Sequence, residues 1–233
     1  DACFPLINIE KGGVNVELIY AADGEDGAEI PVYELYAGER PNVVPAHAYA
    51  VVGADRAGIA FIQAKIGEIA REMNQKLSVR DLGDGRAEIS AEGVLSHGSL
   101  PEQGVNAISI MMEFLGKLNF ANESTNDFVK FYNEHIGYDL HGERAGCAFE
   151  DSQSGRLIFN VGMIALDRKT VQLTINIRYP VTMDDEKVYS GLMSVLDGYD
   201  LGIVKGQHQE PIYMPADSPL ITKLMDIYRK HTG

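Results

Sequence analysis

Apolar and polar residues alternate from Val14 to Ala21, with Val14, Val16, Leu18 and Tyr20 on one side, and the same period of two returns over Ile30–Tyr36 and Ala46–Val52. Each stretch predicts a half-buried strand. Asp23-Gly24-Glu25-Asp26-Gly27 and Gly38-Glu39-Arg40-Pro41 read as the turns between them. The period then changes. From Asp55 to Lys76 the apolar positions Ile59, Ile62, Ile66, Ile69, Ala70 and Met73 recur at three and four, one face of a helix with Asp55 as its N-cap.

Leu77–Leu82 and Arg86–Leu95 form a predicted hairpin about Gly83-Asp84-Gly85, because an Asp-Gly pair supplies the positive φ of a tight turn. Helices are expected over Gly104–Leu118 and Thr125–Ile136. A second hairpin, Leu157–Leu166 with Thr170–Tyr179, leads into a helix at Asp184–Leu196 and a strand near Leu201–Lys205. The last helix, Ser218–His231, opens on a Ser-Pro pair suited to N-cap and first-turn positions. This order lacks the strict strand-helix-strand repeat of a parallel sheet, so the fold class is α+β, antiparallel sheets with helices on one face. A strand hairpin feeding a helix occurs in both parts of the chain, which points to two ferredoxin-like halves.

Composition narrows the function. The 233 residues are 45% apolar and 23% charged, an ordinary globular balance with room for one core or two. Acidic residues outnumber basic ones 34 to 20, a net charge of −14, and the basic runs are no longer than Arg168-Lys169 and Arg229-Lys230. Nucleic acid and anionic membrane are therefore poor partners. Neither a membrane-spanning run nor a secretory leader is visible. Cys3 and Cys147 stand apart with no CxxC, which argues against a disulfide framework or structural zinc and for a reducing, cytoplasmic setting. The chain opens at Asp1 without Met, so a fragment is expected.

Candidate chemistry is sparse. His97 lies in the polar loop Ser96-His97-Gly98-Ser99, where an imidazole can act as donor or base, or be a bystander in a capping loop. No GxSxG elbow accompanies the serines, which argues against a serine hydrolase. Asn42 sits in a turn held by Pro41 and Pro45, able to grip a ligand oxygen or only its own backbone. Arg178 ends an alternating strand and could fork onto a carboxylate or join a surface ion pair. His47, His135, His141, His208 and His231 show no metal-binding spacing, and Asp23-Glu25-Asp26 lacks the pattern of a calcium loop.

Four blocks in order change this picture: Asp1-Ala2-Cys3-Phe4-Pro5-Leu6-Ile7-Asn8 through Glu10-Lys11-Gly12; Asn42-Val43-Val44-Pro45; Ser96-His97-Gly98 with Glu102, Gly104 and Asn106-Ala107; and Asn176-Ile177-Arg178-Tyr179-Pro180. The series resembles the di-zinc dipeptidases of the PepV type, relatives of carboxypeptidase G2 and the carnosinases. The resemblance implies a two-metal catalytic domain interrupted by an inserted lid, with this chain as the lid. Residues 1–12 would be a flank from the catalytic domain and 13–215 the lid. Its halves would be about 13–140 and 141–215, with intertwining left open, and 216–233 would be a helix returning to the catalytic domain.

The resemblance further implies that Asp1 is a metal ligand, that His97 donates to the carbonyl oxygen of the scissile bond, and that Asn42 and Arg178 hold the C-terminal carboxylate of a dipeptide with a free N-terminus. Two divalent ions, zinc or manganese, would belong to the full-length enzyme, a monomer, and the fragment alone would be inactive. The flanks would pack on the absent catalytic domain, so Leu220, Leu224 and Ile227 would then need another cover, such as the lid itself or a crystal neighbour. The competing reading is a stand-alone ferredoxin-like regulatory module that binds an amino acid without metal.

Overall fold

The computed structural model describes residues 7–21, 30–73, 76–118, 123–166 and 170–232. The expected Asp23–Gly27 turn, the tip at Asp167-Arg168-Lys169 and the proposed metal ligand Asp1 lie outside these residues. Eight strands build the main sheet: β1 (Gly12–Ala21), β2 (Val32–Ala37), β3 (His47–Gly53), β4 (Lys76–Gly83), β5 (Arg86–Glu92), β6 (Ile158–Leu166), β7 (Thr170–Tyr179) and β8 (Leu201–Gln209). Their order is β8-β1-β7-β6-β2-β3-β5-β4, every neighbour antiparallel. The helices are α1 (Arg56–Met73), α2 (Ala107–Leu115), α3 (Glu123–His135), α4 (Asp185–Leu196) and α5 (Pro219–Thr232).

The sheet order resolves into two quartets joined edge to edge through β6 and β2, where Ile164 faces Ala37 and Leu166 faces Leu35. Within the quartet β8-β1-β7-β6 the sequence runs β1, α3, β6, β7, α4, β8, the alternation of a ferredoxin-like unit. The quartet β2-β3-β5-β4 repeats the spatial pattern, with the upstream β2 in the place of a final strand. One quartet is thus nested inside the other: β1 precedes the whole of β2–β5 yet pairs with β7 and β8.

The alternation seen in the sequence sets the layers. On β1 Val14, Val16, Leu18 and Tyr20 are buried while the residues between them stay half-open. Ile62, Ile66 and Ile69 of α1 and nearly all of α2 are buried in the same core. Tyr20 meets Phe128 of α3 at 6.1 Å between ring centres. Each fully buried aliphatic or aromatic side chain contributes about 1.5–3 kcal/mol.

Element ends follow local chemistry. Asp55 caps α1 by accepting from Gly58 N at 2.8 Å, and Asp184 caps α4 by accepting from Lys187 N. The turn between β4 and β5 has φ of 78°, 52° and 72° at Gly83, Asp84 and Gly85. Two expected boundaries move inward. The helix expected from Gly104 starts at Ala107, because Val105 is bridged to Val94 and the Asn106 side chain accepts from Ile108 N. The strand expected to reach Leu95 ends at Glu92, where Gly93 N turns to the carbonyl of Ala46. β8 runs on past the expected Lys205 to Gln209, with a bulge between Lys205 and His208.

Candidate functional site

His97 and Asn42, far apart in sequence, are brought together by a two-residue ladder. Val43 pairs with His97 and Val44 with Ser96, and Gly98 N donates to the Asn42 carbonyl at 2.8 Å. The ladder stands over the end of the sheet where Arg178, next to last in β7, lies opposite Gly13 of β1 and Ile158 of β6. Between ladder and sheet lies a cavity of about 360 Å³ lined by Glu10, Lys11, Gly13, Asn15, Pro41, Asn42, His97, Asn176, Arg178, Gln207 and Gln209. His97, Asn42 and Arg178 thus share one cavity, on the sheet face opposite the buried Val14–Tyr20 side.

Small residues allow the close approach. Gly162 is the extra residue of a bulge in β6, and a Cβ there would lie 2.2 Å from the Pro41 carbonyl oxygen. A Cβ on Gly98 would lie 2.9 Å from the Asn42 carbonyl. The Asn160 side chain, buried on β6, donates to the carbonyls of Pro41 (2.8 Å) and Val43 (3.2 Å). The start of α2 is tied to the same place, since Asn106 Nδ2 donates to Val161 O at 2.8 Å.

Electrostatics fix the character of the cavity. Burial lowers the pKa of the Arg178 guanidinium and Glu10 opposes the shift; a guanidinium stays cationic at neutral pH. Burial also lowers Lys11, with Asp151 opposing and Arg178 adding to the fall. The Lys11 ammonium donates to the Arg156 carbonyl. His97 is lowered by burial first and by the Arg178 charge second, which keeps its ring neutral near pH 7. The Ser99 backbone N–H donates to Nδ1 at 3.2 Å and the Ser99 hydroxyl lies 2.7 Å from the same atom. A nitrogen that accepts a backbone N–H carries no proton in the neutral ring, so the proton sits on Nε2. The floor is amide: Asn176 Nδ2 donates to Asn15 Oδ1 at 2.8 Å.

Such a cavity offers a guanidinium, an ammonium, side-chain amides and a neutral N–H donor, the groups that hold a carboxylate and a carbonyl. Lys11, Asn15, Asn160, Gln207 and Gln209 escaped sequence reasoning as site residues. Gln207 and Gln209 could have been found by extending the period of two past Lys205; nothing local marks Asn160. Among the described residues no group of three His, Cys, Asp or Glu could hold a metal ion, so they do not fit one.

Residues 83–197 match the family described as the peptidase dimerisation domain, of the M20 type. The whole chain aligns with a "putative dipeptidase" of Staphylococcus haemolyticus at 30% identity and with one of Staphylococcus aureus strain MRSA252 at 33%, covering 100% of this chain and 50% of each relative. The chain therefore spans about half the length of the curated relatives it matches. A crystal structure of aminoacylhistidine dipeptidase from Vibrio alginolyticus superposes with a TM-score of 0.46 at 15% identity, over 97% of this chain and 50% of that one. The four sequence blocks, the matched stretch and the full-length alignment agree: residues 83–197 are similar to the peptidase dimerisation domain of the M20 type, and the chain as a whole is similar to about half of a putative dipeptidase.

Proposed function

We propose that the chain is the substrate-binding lid of a metal-dependent dipeptidase whose substrates are dipeptides with a free N-terminus. The observation that carries the reading is the meeting of His97, Asn42 and Arg178 around one polar cavity. Arg178 and Asn42 hold the C-terminal carboxylate, a charge-assisted fork beside a neutral amide. His97, neutral and protonated on Nε2, donates to the carbonyl oxygen of the scissile bond, where negative charge grows as the carbon becomes tetrahedral. A neutral donor suits this task, because it needs no proton from solvent and does not compete with Arg178 for the carboxylate.

The two divalent ions of the full-length enzyme would be held by residues other than those described, with Asp1 a proposed contributor. What this chain supplies is recognition and one donor, so it is inactive alone. The full-length polypeptide would act as a monomer in the cytoplasm, where the buried Cys147 thiol, its pKa pushed up to about 12 by burial, is inert. The regulatory-module reading is not favoured, since the relatives carry dipeptidase names and extend for twice the length. The test is hydrolysis of dipeptides by the full-length polypeptide with zinc or manganese. Loss of one transition-state donor costs about 2.7–4 kcal/mol, so His97→Ala should lower kcat a hundredfold or more. An unchanged kcat in that variant would refute the assignment of His97.

A further inference from the structure

Three successive carbonyls in the Asn42 turn are each occupied by a donor. Asn160 Nδ2 takes those of Pro41 and Val43, and Gly98 N takes that of Asn42 between them. Asn160 is 2% exposed, and its amide can be oriented only one way, because an oxygen turned toward Pro41 and Val43 would meet two further acceptors. The amide also abuts the His97 loop: a Cβ on Gly98 would come 3.0 Å from Asn160 Nδ2. One buried side chain thus holds the turn that presents Asn42 and packs against the residue after His97, without itself lining the cavity.

We infer that Asn160 is a positioning residue that acts through Asn42, fixing its amide for the substrate carboxylate and holding the Asn42 turn against the His97 loop. Its activity readout rests on the carboxylate-grip reading above, whereas its structural readout does not. Leucine keeps the branched outline of Asn160, though it is bulkier, and offers no donor; serine is the smaller second variant, in case leucine prevents folding.

The experiment is a double-mutant cycle in the full-length polypeptide with Asn42→Ala and Asn160→Leu or Asn160→Ser, read as kcat and KM for a dipeptide, together with hydrogen exchange at the Gly98 amide. Asn160→Leu alone should lower kcat/KM about tenfold, chiefly through KM, and should speed exchange at Gly98. Added to Asn42→Ala it should cost less than twofold more. An equal loss in both backgrounds, or a folded Asn160 variant with unchanged kcat/KM and exchange, would overturn the inference. If Asn42→Ala leaves KM unchanged, the carboxylate grip fails, and exchange at Gly98 alone decides: faster exchange supports positioning of the turn, and unchanged exchange overturns it.

Discussion

Ser99 holds His97 twice from one side: its backbone N–H lies 3.2 Å and its hydroxyl 2.7 Å from Nδ1. The pair assigns the proton of the neutral ring to Nε2 and fixes the plane of the ring. Ser99→Ala keeps the backbone donor and removes the hydroxyl. In the full-length polypeptide kcat should fall about threefold to tenfold with KM little changed, the scale of one lost orienting hydrogen bond. Steady-state kinetics on both proteins measure this, and a rise in KM at constant kcat would contradict it.

Burial and the Arg178 charge both favour neutral His97. The folded pKa therefore lies below the unfolded value near 6.5, and the linked stability is present above that value and falls as pH drops through the folded pKa. An NMR titration of this chain should find His97 below 6.5, and Arg178→Ala should move it upward. An unmoved value would mean that the two groups do not share the cavity electrostatically.

Arg178 contributes a fork that lysine cannot reproduce. Arg178→Ala should raise KM for a dipeptide about tenfold to a hundredfold and Arg178→Lys should recover only part of it, while hydrolysis of the matching dipeptide amide changes far less. KM measured on both substrates separates carboxylate recognition from a general loss of structure, which would affect the two alike.

Gly162 tests how closely the Asn42 turn must approach the sheet. In Gly162→Ala the new methyl would lie 2.2 Å from the Pro41 carbonyl oxygen, so the turn must shift outward. The expected cost is about 1–3 kcal/mol of stability with a raised KM. Thermal unfolding and kinetics check both, and a variant as stable as the parent would show that the bulge has room to spare.

Asp151 accepts from the backbone N–H and hydroxyl of both Ser154 and Thr182, and these bonds outweigh desolvation to bring its carboxyl to about 2. A depressed carboxylate contributes stability above its unfolded pKa and loses it as pH falls through the folded value. Between about pH 4 and 2 the wild-type chain should lose a stability increment that Asp151→Asn lacks, as followed by acid unfolding. The group is solvent-accessible, so the increment is small.

The layers were legible in the sequence because they rest on periodicity. The alternation of Val14, Val16, Leu18 and Tyr20 and the spacing of Ile62, Ile66 and Ile69 both mark the buried faces. Leu220, Leu224 and Ile227 are exposed at 53%, 39% and 45%, and Ile221 is the buried residue of α5, so among the described residues the lid does not supply the cover expected for that face. The site was legible in part. His97, Asn42 and Arg178 sit in ordered motifs, but their meeting depends on a ladder of two residues and on an asparagine that binds backbone carbonyls. Neither leaves a periodic trace. Strand pairing between β1 and β8 was equally hidden, because long-range register is set by partners and not by the strand itself.

That pairing dictates when the protein can fold. β1 is made before the whole of β2–β5, yet both its neighbours, β7 and β8, come last among the sheet strands. The inner quartet can close on its own as synthesis proceeds, while β1 waits with two unpaired edges and an apolar side exposed. Contacts this distant in sequence make closure of the outer quartet the slow step, and they leave a nascent chain most vulnerable to aggregation in the interval before residues 170–209 emerge.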